Sequence, residues 1–293
     1  VPKLILAQVS FSKEYFIVNQ QHPEKFIKNG SKLFICGAEY HNVNNHFNGF
    51  VLETNLNGDS VNYFSSNDTI SNIFWDIAIN DTLILLAGDR DSSATYADAN
   101  YFIYSLTSRK RIKRINFGYA NDGDIFLKIL IDNENNIYLI GWVAMHSSSN
   151  GDVKVVKCDK WGNLIWKKNY GGSKIENGFN ASFDSQNNIV ISGNSYSFSS
   201  PSSISGNTWT DGYLLCIDTT GNMLWQKNYA YNNDNTLAET FQSISKTKTG
   251  FICADYLNDE TIIQNDPNYN YEALLYMVND TGKVLWQKRF LLI

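Results

Sequence analysis

The chain has 293 residues, a formal charge of -5 and a pI near 5.4. That balance works against a polyanion partner, because non-specific nucleic-acid affinity comes from Lys and Arg neutralising phosphates. No apolar run reaches the roughly 18 residues of a membrane helix, and 17 Tyr and 17 Phe with only 4 Pro favour half-buried pleated strands over helices.

The first residues, Val1 to Gln8, include Leu4-Ile5-Leu6-Ala7, which reads like the end of a signal-peptide apolar region and hints at export. VSFSKEYF (9 to 16) then aligns with LIWKKNYG (164 to 171), setting Phe11 against Trp166 and Tyr15 against Tyr170. The chain therefore opens on a lone fourth strand, within an N-terminal segment 1 to 21. Two expectations follow: either five blades close by themselves with 9 to 16 as an added edge strand, or the blades belong to a larger ring that this strand helps complete.

Five copies of one unit come next. Each has a short apolar run ending at Gly37, Gly88, Gly141, Gly193 or Ala254, spaced 51, 53, 52 and 61 residues apart. Each run is followed by a hairpin whose turn slot is Gly58, Lys110, Gly162, Gly221 or Gly282. Four residues after the turn stand Asn62, Arg114, Trp166, Trp225 and Trp286, and ten before it Asn48, Asn100, Asp152, Asp211 and Glu272. A preceding strand such as IFWDIAI or DIFLKILID completes four strands per unit, the pattern of a propeller blade. The expected fold is thus an all-β propeller of four-stranded antiparallel blades, five visible: 22 to 65, 66 to 118, 119 to 172, 173 to 231 and 232 to 293, in a single domain.

The run from Asp152 to Gly172, an acidic residue, an apolar strand, Asp, Gly-Asn, an apolar pair, Trp, Lys and Tyr-Gly-Gly, resembles the secreted bacterial β-propeller repeat proteins, distantly similar to quinoprotein-like propellers. The resemblance implies an exported or surface-attached bacterial protein and no activity common to the family. A quinone-using dehydrogenase would need vicinal cysteines, and Cys36, Cys158, Cys216 and Cys253 are far apart, so no cofactor is expected. The four read instead as buried free thiols.

Candidate sites were weighed against the repeat. Trp166, Trp225 and Trp286 recur at one repeat position and read as blade-to-blade packing. The slot of Asn48, Asn100, Asp152, Asp211 and Glu272 reads as capping of the third strand, with a channel-lining ring as the sharper alternative. Asn121-Asp122-Gly123-Asp124 lacks the remaining ligands of a calcium loop, Asp89 and Asp91 read as part of a solvated turn, and His22, His41, His46 and His146 have no ligand spacing; no metal is expected. Arg109 to Arg114 reads as a charged guard on an edge strand.

Blades four and five carry longer loops between second and third strands, rich in Ser, Asn and aromatics. Insertions on one face of a repeat array mark its binding face. The expected function is a non-catalytic, secreted or cell-surface scaffold that binds a protein or glycan through Tyr196, Phe198, Trp209, Tyr256, Tyr269 and Tyr271. The alternative is a propeller glycosidase, which would need carboxylates from different blades converging at the channel mouth.

Overall fold

A computed structural model describes residues 20–41, 46–93, 96–118, 123–144, 151–198, 210–230, 239–257 and 272–291. Its regular structure is entirely strand. Blade one comprises β1 (Gln20–Asn29), β2 (Lys32–His41), β3 (His46–Asn55) and β4 (Ser60–Ser65); blade two β5 (Asn72–Asn80), β6 (Leu83–Ser93), β7 (Tyr96–Ser105) and β8 (Arg111–Asn116). Blade three comprises β9 (Gly123–Ile131), β10 (Ile137–Ala144), β11 (Gly151–Cys158) and β12 (Leu164–Tyr170); blade four β13 (Glu176–Phe183), β14 (Ile189–Ser195), β15 (Asp211–Ile217) and β16 (Met223–Tyr229). Blade five comprises β17 (Ser243–Thr247), β18 (Gly250–Leu257), β19 (Glu272–Val278) and β20 (Val284–Leu291). Each blade is a sheet with its strands in sequence order, and the first strands of successive blades lie beside one another from β1 through β17.

The hairpin turns form for a local reason. Asp159 Oδ1 accepts from the backbone N–H of Trp161 and Asn163, and Asp218 Oδ1 from those of Thr220 and Asn222; Asn279 and Asn55 do the same in blades five and one. Such a turn needs a left-handed residue, supplied by Gly58, Gly162, Gly221 and Gly282 at φ 72 to 80°. In blade two that residue is Arg109, at φ 58°. The turn slot is therefore one residue before Lys110, Lys113 and not Arg114 stands where Trp166 stands, and Asp98, two residues before Asn100, takes the acidic slot. In blade five the register puts Asp255, not Ala254, opposite Leu274 in the glycine slot.

That slot is a packing constraint. The first strand carries a bulge opposite Gly37, Gly88, Gly141 and Gly193 that drives a carbonyl against the second strand. A Cβ on these glycines would lie 2.0 Å from His22 O, 2.1 Å from Ile73 O, 1.9 Å from Ile125 O and 1.7 Å from Asn177 O. In blade five the slot residue is Asp255, and the pairing of β17 with β18 begins one residue short of it, at Ser243 opposite Ala254.

Apolar clusters span neighbouring blades. Leu214, Cys216 and Tyr229 of blade four pack with Phe241, Ile244, Phe251, Cys253 and Tyr276 of blade five. Fourth-strand side chains then reach the next hairpin turn. Trp166 Nε1 donates to Thr219 O at 3.2 Å, Tyr170 OH to Gly221 O at 2.8 Å, and Tyr229 OH to Gly282 O at 2.7 Å. Trp166 and Trp225 are half-buried in these contacts. Trp286 and Phe290 hold the same places in blade five but are 40% and 44% exposed, and Phe26, on the opposite outer face of blade one, is 70% exposed. The basic run is not only an edge guard: Arg109 Nε donates to the buried Glu53 of blade one at 2.9 Å, and Arg111 is bidentate at 2.7 and 2.9 Å to Asp68, in the connection between the two blades. All four cysteines are free and buried, and burial pushes their thiols up, to about 12 for Cys158, Cys216 and Cys253.

Two substitutions separate these effects. Gly193→Ala forces a Cβ into a backbone carbonyl and is expected to cost about 3 kcal/mol. Tyr229→Phe removes one buried hydrogen bond and should cost about 1 kcal/mol. Urea unfolding of both variants checks the order; a Gly193→Ala protein as stable as the parent would mean that the bulge is not a constraint.

Candidate functional site

The two ends of the blades differ in chemistry. One end carries the tight turns within hairpins. The other carries the starts of the first and third strands, the loops between second and third strands, and two repeating polar positions. The first is the third-strand slot: Asn48, Asp98, Asp152, Asp211 and Glu272. The second begins the first strand, at Gln21, Asn72, Asp124 and Glu176, which face equivalent residues of the second strand. Glu239 belongs with them, because Phe241 two residues later lies over Gly212 as Phe74, two after Asn72, lies over Gly49.

The third-strand slot of one blade therefore meets the first-strand slot of the next. Between blades one and two the pair is Asn48 and Asn72, and Asn72 Oδ1 accepts from Gly49 N at 2.9 Å. Between blades two and three it is Asp98 and Asp124, with Lys154 as counter-charge. Lys154 is fully buried and donates through Nζ to Asp124 Oδ2 at 2.6 Å and Phe117 O at 2.8 Å. Burial lowers the Lys154 pKa while Asp124 and Asp98 pull it back up. Such a buried cation persists because carboxylates surround it.

Between blades three and four the pair is Asp152 and Glu176, and the position equivalent to Lys154 is Tyr213. Tyr213 is buried and donates its hydroxyl to Gln226 Oε1 at 2.8 Å, so it supplies no positive charge. Glu176, wholly buried, accepts at Oε2 from Gly172 N at 2.6 Å and at Oε1 from Ser195 Oγ at 2.8 Å and Ser197 N at 2.9 Å. Asp152 is only half-buried. Its pKa is raised, first by burial and then by the Glu176 carboxylate beside it. Both carboxyls crowd Gly171. A Cβ there would lie 2.2 Å from Asp152 Oδ1 and 2.8 Å from Glu176 Oε2, which bounds the separation of these oxygens at about 5 Å. Asp211 and Glu239 repeat the arrangement between blades four and five, both buried, with Leu274 in the third place.

Of the residues expected to form a binding surface, the structure describes the side chains of Tyr196 and Phe198. Phe198 is 40% exposed, stacked on Tyr213 with ring centroids 6.2 Å apart. Tyr196 is half-buried, and its N–H donates to Ile175 O at 2.9 Å. Tyr256 lies on β18, while Trp209, Tyr269 and Tyr271 lie outside the described residues, as do Asn121, Asp122 and His146. Asp89 accepts from Trp75 Nε1 at 3.2 Å. His41 and His46 stack across β2 and β3 with centroids 5.4 Å apart, and no group of three metal-ligating side chains occurs among the described residues. The first-strand slot escaped the sequence reading, although its signal was present: an Asn, Asp or Glu two residues before Phe or Gly in NIF, DIF, ENG and ETF.

No family model matches the chain. No curated protein matches it either. Among solved structures, a neuraminidase-like protein of A/little yellow-shouldered bat/Guatemala superposes with a TM-score of 0.54 at 8% identity, over 93% of this chain and 83% of that one. A Synechocystis apocarotenoid oxygenase gives 0.52 at 8% identity, over 94% of this chain and 62% of that one. A GH43 β-xylosidase/α-arabinofuranosidase from a compost microbial metagenome gives 0.47 at 9%, over 91% and 94%. At such identities the likeness establishes the propeller fold alone. The expectation of a non-catalytic scaffold is corrected to this extent: solved propellers of similar fold include GH43 glycosidases, and that activity is a property of those proteins.

A raised carboxyl has a consequence for stability. The folded chain holds a proton on Asp152 to higher pH than the unfolded chain does, so stability falls as pH rises through that interval. Asp152→Asn should therefore stabilise the protein at neutral pH and lose that advantage below the ordinary carboxylate range. Thermal melts of both proteins across pH 3 to 8 check this; parallel curves would show that Asp152 ionises freely.

Proposed function

We propose that this chain is a carbohydrate-active propeller enzyme in which Asp152 protonates the departing glycosidic oxygen while water bonds to the anomeric carbon, the proton that water releases restoring the Asp152 carboxyl. The observation that carries the reading is the pair of carboxyls from adjoining blades beneath Gly171, one buried and bonded by three donors, the other half-buried with a raised pKa. Acid assistance to a leaving group requires a carboxyl that keeps its proton near the working pH, which burial beside a second carboxylate provides. Glu176 acts through Asp152: with its oxygens sealed, it raises the neighbouring carboxyl and holds the Gly172 and Ser197 backbone in place. Lys154 keeps the preceding acidic pair from serving the same role, since its ammonium neutralises Asp124. Export to the cell exterior or surface belongs to the same proposal, supported by the apolar stretch Leu4 to Ala7 and by the repeat's resemblance to secreted bacterial propellers.

A panel of chromogenic aryl xylosides, glucosides, galactosides and arabinosides tests the reading. The parent should hydrolyse at least one, and Asp152→Asn should lose about 10²-fold or more in kcat. The acid-assisted rate should fall as pH rises through the Asp152 ionisation. An inactive parent, or an Asp152→Asn variant with unchanged kcat, would overturn the proposal.

A further inference from the structure

We infer that Phe198 is the sugar-stacking platform of this site and that it selects pyranosides with equatorial hydroxyls, an inference that rests on the carbohydrate reading above. Tyr170-Gly171-Gly172 runs between the carboxyl pair and the start of the loop after β14. A Cβ on Gly171 would collide with Asp152 and Glu176; one on Gly172 would lie 2.5 Å from Ser197 Cβ and 3.0 Å from Phe198 Cζ. Asp152 and the edge of the Phe198 ring thus flank one dipeptide, whose Cα atoms are about 3.8 Å apart. The lack of side chains at 171 and 172 is what lets Asp152, Glu176, Ser197 and Phe198 close in on this dipeptide.

Phe198 is held as a platform should be. Its N–H donates to Ser195 Oγ at 3.2 Å, and the same hydroxyl donates to Glu176 Oε1, so the residue that raises Asp152 also anchors the aromatic. Lys174 N donates to Ser197 Oγ at 2.8 Å and fixes the loop from its other side. One ring face rests on the buried Tyr213, at an interplanar angle of 18°. A phenyl ring has no polar tip, so the surface it offers suits the C–H face of a sugar. That face is unbroken in pyranosides whose hydroxyls are all equatorial, the xylo and gluco configurations, and is interrupted by an axial hydroxyl.

Binding is measured separately from turnover, by calorimetry with xylobiose and cellobiose on the Asp152→Asn protein. Phe198→Leu, which keeps apolar volume without the ring, should weaken binding by about tenfold, and Phe198→Tyr should restore it. Equal affinities for the Leu and Phe proteins, or no binding of either sugar, would overturn the inference. Binding that depends on Phe198 in a protein whose parent hydrolyses no glycoside would uphold the platform and overturn the acid role of Asp152. Hydrolysis by the parent with Phe198→Leu unchanged in KM would do the reverse.

Discussion

Everything in this fold depends on the contact between one blade and the next. A single repeat unit cannot bury its hydrophobic face alone, and here the clusters that exclude water are shared between neighbouring blades. Direction is added by the fourth strand: Trp166, Tyr170 and Tyr229 place a polar tip on a carbonyl of the following hairpin turn. The turn can offer those carbonyls because an Asp or Asn side chain has already satisfied its N–H groups and a left-handed residue has exposed its outer edge.

The same periodicity that packs the blades also creates the site. Every interface brings a third-strand polar residue against a first-strand polar residue, and a buried pair of this kind must be satisfied. Amides do so between blades one and two, and a buried lysine does so between two and three. Tyr213 replaces the lysine at the next interface, and the unbalanced charge falls on Asp152. The compensating cation is missing again between blades four and five, where Leu274 stands in its place, but there both acids are buried, whereas Asp152 is half-buried.

Much of this was legible in the residues. The regular blades three, four and five announced strand count, period and turns, because Gly, Trp and acidic residues repeat where backbone geometry demands them. Blade two misled by one residue, since Arg109 rather than glycine adopts the left-handed conformation and Lys113 replaces the tryptophan, leaving no residue type to anchor the frame. The glycine slot of blade five misled because Ala254 looked like a conservative substitute, whereas cross-strand register puts Asp255 in the slot.

The sequence by itself determined the repeat, the propeller and the acidic slot, because strand alternation and turn chemistry act over a few residues. Only the tertiary structure decided which acids meet. Asp152 and Glu176 are 24 positions apart, on strands of different blades, and whether a lysine or a tyrosine faces such a pair depends on cross-strand register and on the packing of one sheet against another. Phe198 was legible as an exposed aromatic in a loop, but its approach to Gly172, next to the glycine that Asp152 crowds, is a tertiary contact no local pattern encodes.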